Sequence, residues 1–118
     1  MYEIKVIDEF SGAHRLRGYK GKCESVHGHN WRVEACVYAK ALDSSGMVMD
    51  FKELKKMLGR ILVSLDHKDL NKIPYFRKLN PTSENIARFI HSRLSRGVKK
   101  SLKVSVWETS TSSASFED

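Results

Sequence analysis

From residue 27 onward the odd positions read His27, His29, Trp31, Val33, Ala35, Val37 and Ala39, while Asn30, Arg32, Glu34 and Lys40 take even ones. A period of two over that length reads as a long, half-buried β-strand and not as a helix. Residues 2–10 alternate in the same way. Tyr2, Ile4, Val6 and Phe10 share one parity, with Glu3, Lys5 and Glu9 on the other. Carried on through "SGAH", the even parity reaches His14. A loop containing Gly18 and Gly21 separates the two strands, which are expected to pair as an antiparallel hairpin.

Beyond the hairpin the period changes. Asp50 is placed to cap a helix, with Glu53 three residues on. Phe51, Leu54, Leu58, Ile61, Leu62 and Leu65 then form one apolar stripe. "DHKDLNKIPYFRKLNP" reads as a loop. Pro81, Thr82 and Ser83 introduce a second helix that turns Ile86, Phe89, Ile90 and Leu94 inward and closes near Gly97; His91 is expected on its outer face. Leu102, Val104 and Val106 alternate in a third strand, and "SSASF" supplies a short edge strand. The order ββααββ predicts an α+β fold: an antiparallel four-stranded sheet with two helices on one face. At 118 residues the chain fits one domain, 1–118, that buries enough surface to need no disulfide.

The site-forming residues begin with His27 and His29. At i and i+2 of a strand, their imidazoles share one face about 6–7 Å apart along the backbone. Both can converge on one ion, with His14 on the partner strand as third ligand. Three histidines leave the fourth position of a zinc ion open, as catalytic sites do. The competing reading is of ordinary histidines, each satisfied by a backbone carbonyl. Cys23, four residues before His27, would gain thiolate character from a nearby cation; taken alone it is as readily a structural thiol. Glu24 beside it is a second possible base. Cys36, mid-strand, reads as a packing residue, and an unexported chain has no use for a Cys23–Cys36 disulfide.

Asp66 and His67 form a carboxylate–imidazole pair able to shuttle a proton, although a histidine at a helix C-terminus also suits the dipole. Glu108 continues the parity of Val104 and Val106, so its carboxylate is aimed at the core side and needs partners. Those can be a salt bridge or a planar ligand offering adjacent N–H donors. The net charge of +7 suits an anionic ligand. It would also suit nucleic acid, but no exposed basic face interleaved with aromatics supports that. No apolar run approaches the roughly 20 residues of a membrane span, and the N-terminus lacks a signal-peptide layout, so the expected address is the cytoplasm.

Six segments, "FSGAHRL", "CESVHGHNW", "GMVMDFKELK", "LDHKDLN", "NPTSENIA" and "VWET", occur in the order found in the 6-pyruvoyl-tetrahydropterin synthase family. Together they resemble its bacterial 6-carboxytetrahydropterin synthase branch, which serves queuosine (7-deazaguanine) biosynthesis. The resemblance implies Zn2+ on His14, His27 and His29, and Cys23 as the catalytic thiol with Asp66 and His67. It implies Glu108 as the pterin anchor, with Thr82 and Ser83 lining the pocket. It also implies the tunnelling fold, in which oligomerisation joins sheets into barrels, a hexamer, and active sites between subunits. The implied substrate is 7,8-dihydroneopterin triphosphate, with Arg15, Arg17, Lys20 or Lys22 placed to hold its phosphates. A glutamate at position 24 also resembles the variant that cleaves the dihydroneopterin side chain to 6-hydroxymethyl-dihydropterin for folate synthesis.

Overall fold

β1 (Tyr2–His14) and β2 (His27–Ala39) pair antiparallel along their whole length, from Tyr2 against Ala39 to His14 against His27. The computed structural model describes residues 1–21 and 24–118, so Cys23 lies outside the described residues. Two helices follow, α1 (Phe51–Val63) and α2 (Ser83–Leu94), with β3 (Lys68–Asp69) between them. β4 (Ser101–Thr109) and β5 (Ser112–Glu117) close the order. The strands form one sheet in the order β3-β1-β2-β4-β5.

The expected four strands are therefore five. Lys68 and Asp69 lie parallel to Gly12 and Ala13 of β1, inside the segment read as loop. Two residues carry no periodicity, which is why the sequence does not announce them. The rest of that segment is wound into 3-10 turns at Leu70–Lys72 and Pro74–Phe76, which bury Leu70 and Phe76.

One sheet face and the helices enclose the core. Val6, Phe10, Trp31, Val33, Ala35, Val37, Leu102, Val104 and Val106 meet Leu54, Leu58, Leu62, Ile86, Phe89, Ile90 and Leu94. α1 lies on β1, and α2 on β4 and β5. Asp50 caps α1 by accepting from the Lys52 N–H at 2.8 Å. Phe51 departs from the expected stripe: at the first turn of α1 it is 54 % exposed. His91 departs in the opposite sense. β5 reaches over α2, so His91 is buried, edge-on to Phe116 and bonded through Nε2 to the Leu102 carbonyl. The other sheet face is polar: Glu34 pairs with Arg32 at 2.7 Å and Lys5 at 3.7 Å, and the Ser105 and Ser115 hydroxyls meet. Cys36 on that face is a free buried thiol; burial pushes it above the ordinary cysteine range, with Glu3 adding, so it stays protonated.

Candidate active site

The register of the hairpin builds the site. His14 and His27 are direct cross-strand partners, and His29 opposite Gly12 projects to the same face. The three ring centroids are 4.7, 4.9 and 5.2 Å apart, with interplanar angles between 67° and 90°. One ligand atom each from His14, His27, His29 and Glu108 lies within 4.8 Å of all the others. Strand spacing thus brings the three imidazoles together on one face.

Their tautomers follow from their partners. His14 Nδ1 sits 2.8 Å from the Pro81 carbonyl and His27 Nδ1 2.9 Å from the Ser25 carbonyl. A carbonyl only accepts, so each Nδ1 carries the hydrogen and each neutral ring keeps a bare Nε2. That is the second-sphere arrangement by which proteins orient metal-binding histidines. His14 Nε2 and His29 Nε2 are buried without a hydrogen-bond partner among the described residues. Glu108 Oε1 approaches them to 3.0 and 3.4 Å, but off the line of a hydrogen bond. Orphaned, convergent imidazole nitrogens beside a carboxylate fit a divalent cation. Burial pushes the His29 imidazole below the usual histidine range, which Glu108 opposes and His14 and His27 reinforce. It is therefore held neutral, as a ligand must be.

Trp31 is the wall of this site, a role its sequence position alone did not reveal. It is wholly buried, its Nε1–H donates to the Gly12 carbonyl at 3.1 Å, and its ring meets His14 and His29 edge-on at 4.9 and 5.3 Å. The odd parity it shares with both β2 histidines was the available signal. Gly12 lies beneath: a Cβ there would come 3.2 Å from the Phe10 ring, which would have to give by a few tenths of an ångström, and 3.4 Å from Leu70, an ordinary contact.

Glu108 stands at a β-bulge. Trp107 and Thr109 pair with the consecutive residues Ser113 and Ser112, leaving Glu108 without a β5 partner. It keeps the core-side parity expected of it but lies past the apolar core, at the histidines, with 35 % of its side chain exposed.

Asp66 and His67 lie beside the same end of β1, against Ser11. Asp66 Oδ1 accepts from the Ser11 N–H at 2.9 Å and Oδ2 lies 3.0 Å from His67 Nδ1. The Ser11 bond, partly offset by burial and aided by His67, holds the Asp66 carboxyl below the usual range. His67 lines a shallow groove with Ser11, Gly28, His29, Asn30 and Lys68; among the described residues no hydrogen bond links the Asp66–His67 pair to the histidine cluster. Thr82 is the N-cap of α2, its hydroxyl accepting from the Asn85 N–H, and Ser83 is the first helical residue. Arg17 is committed elsewhere: its guanidinium donates to the Phe76 and Leu79 carbonyls and to Asn80 Oδ1.

Sheet, helices and cluster together define a candidate metal-assisted enzyme. A sequence model described as "6-pyruvoyl tetrahydropterin synthase" matches residues 3–118, and the chain belongs to that family of pterin enzymes. A Synechocystis relative named 6-carboxy-5,6,7,8-tetrahydropterin synthase is 39 % identical over 113 residues, covering 91 % of this chain and 86 % of its own. A Pyrococcus furiosus relative named dihydroneopterin monophosphate aldolase is 36 % identical over 102 residues, covering 84 % and 82 %. The Caenorhabditis elegans 6-pyruvoyl tetrahydropterin synthase structure superposes with a TM-score of 0.85 at 27 % identity, over 99 % of this chain and 95 % of that one. No helix is long and apolar enough to cross a membrane among the described residues.

Proposed function

We propose that the chain is a zinc-dependent 6-carboxy-5,6,7,8-tetrahydropterin synthase. It converts 7,8-dihydroneopterin triphosphate and one water to 6-carboxytetrahydropterin, acetaldehyde and triphosphate, the step used in queuosine biosynthesis. The observation that supports it most is the convergence of three imidazoles, with two orphaned Nε2 atoms, two of the rings lying four and six residues after a cysteine in "CESVHGH". His14, His27 and His29 would hold the ion, which when bound supplies Lewis acidity toward an oxygen of the substrate side chain. Cys23 takes the proton from the carbon next to that oxygen. Asp66 fixes His67 at Nδ1, leaving Nε2 to return a proton. Glu108 accepts from the adjacent N–H donors of the pterin edge, beside the Thr82–Ser83 end of α2. With Arg17 committed, the triphosphate falls to Arg15, Lys20 and Lys22. The subunits assemble as a hexamer with sites between them, which closes a groove that one chain leaves shallow.

A second reading, cleavage of the dihydroneopterin side chain for folate synthesis, has the support of Glu24 and of the Pyrococcus relative. Metal analysis of purified protein, followed by incubation with dihydroneopterin triphosphate and mass spectrometry of the products, tests both. Near-stoichiometric zinc, lost in His29→Ala, and carboxytetrahydropterin as product are expected. A 6-hydroxymethyl product would replace the first reading by the second, and a metal-free, inactive protein would end both.

A further inference from the structure

Glu108 stands one residue past Trp107, whose partner on β2 is Arg32, and the parity it shares with Val104 and Val106 turns its carboxylate to the face of the three histidines. Its Oε1 lies 3.0 Å from His14 Nε2 and 3.4 Å from His29 Nε2. Two donor atoms each about 2.1 Å from one tetrahedral ion are about 3.4 Å apart, so these are separations of ligands that share a cation. A direct bond does not account for them. Nε2 of the neutral His14 ring is an acceptor, as is the carboxylate oxygen, and acceptors so placed repel unless positive charge lies between them. The groups are unequally held. His14 and His27 are pinned through Nδ1 by the Pro81 and Ser25 carbonyls. The Glu108 side chain is a third exposed, lacks a β5 partner, and has only His14 and His29 as ion-pairing neighbours among the described residues.

Building on the metal and pterin roles proposed above, we infer that Glu108 is a displaceable fourth ligand. With no pterin bound, its Oε1 completes the shell begun by His14, His27 and His29; a pterin that takes the carboxylate for its N–H donors reopens that shell. Four protein ligands close a zinc ion, as in structural sites, whereas catalysis needs the fourth position. The exchange reconciles the two, because water and stray oxygen ligands stay off the ion until the substrate side chain arrives beside it. Metal and pterin are then linked. A pterin ring that brings no oxygen to the metal strips one ligand from it, and by reciprocity the metal weakens that pterin's binding by the same factor.

Zinc affinity against a chromophoric competitor, the visible spectrum of cobalt-loaded protein and pterin fluorescence test this without turnover. Glu108→Gln keeps the side-chain volume and weakens zinc binding about tenfold or more, since outer partners alone contribute that much. Removing a neighbouring charge that never touched the ion would also weaken zinc, so coordination is read separately, with imidazole as a neutral ligand. If the open form is a tenth or less of the wild-type population, imidazole alters the cobalt spectrum of Glu108→Gln at concentrations about tenfold below those wild type requires. Wild type alone supplies an arm independent of how the variant folds. 6-Methyl-7,8-dihydropterin, which has the ring edge but no side-chain oxygen, raises the zinc Kd about 5–150-fold, and zinc raises the Kd of that pterin equally. Equal imidazole uptake by wild type and variant, or no coupling between zinc and the methylpterin in wild type, overturns the inference. A protein that binds cobalt but no pterin counts against the pterin reading, and the imidazole arm then decides whether Glu108 is a ligand. One that binds neither metal ends the metal reading and this inference together.

Discussion

Replacing Trp31 by Phe separates what holds the fold from what holds the candidate metal site. The indole is wholly buried, stacked 5.9 Å from Phe10, and bonded to the Gly12 carbonyl. Phe keeps most of the apolar surface but leaves a void of roughly 40 Å³, which at ~24 cal/mol per Å³ costs about 1 kcal/mol. Loss of the Nε1–H bond adds about 1 kcal/mol. The total of about 2 kcal/mol corresponds to a melting point lowered by roughly 8 °C for a domain of this size. Calorimetry in EDTA measures that without the stabilisation bound metal would add. Zinc titration with a chromophoric competitor then measures the second effect. The indole that meets His14 and His29 edge-on is replaced by a smaller ring with no hydrogen bond to fix it, and affinity falls about tenfold, the lower end of what outer partners contribute. A loss of stability under about 0.5 kcal/mol, typical of surface changes, would refute the packing argument. Unchanged zinc affinity would refute the claim that Trp31 orients the imidazoles.

Two further perturbations follow from the same geometry. Asp66 has a depressed carboxyl, so the stability it contributes is present above the ordinary carboxylate range and is lost as pH falls through its lower folded value. Asp66→Asn should flatten that acid limb in urea unfolding between about pH 5 and pH 2, and a limb unchanged by the variant would exclude the Ser11 bond as its source. Asp50→Ala removes the oxygen that accepts from Lys52 and should cost about 1 kcal/mol in urea unfolding; a neutral result would show that α1 is held by its Leu54–Leu58–Leu62 stripe alone.

Much of this was legible because strands and amphipathic helices write their periods into the chain. The parity of β1 and β2 places His14, His27 and His29 on one face whatever the exact turn between them, and the leucines of α1 leave one helix orientation. What escaped was set by contacts distant in sequence. Lys68 and Asp69 become a strand because β1 offers an unpaired edge beside Gly12. His91 is buried by β5, which lies more than twenty residues on. Arg17 reads as a phosphate ligand until Asn80 and the carbonyls of Phe76 and Leu79 take up its donors. The commitment of Asp66 to the Ser11 amide is invisible for the same reason: a side chain bonded to a remote amide leaves no local signature. Cys23 rests on sequence motif alone.

His67 sits at φ 55°, in the left-handed region that a residue with a Cβ enters at a cost of about 1 kcal/mol or more. Glycine would relax that torsion while deleting the imidazole that faces Asp66. Thermal robustness and the proton transfer proposed for His67 therefore pull residue 67 in opposite directions. A laboratory lineage screened for heat tolerance alone would drift toward glycine here, gaining durability as it shed chemistry.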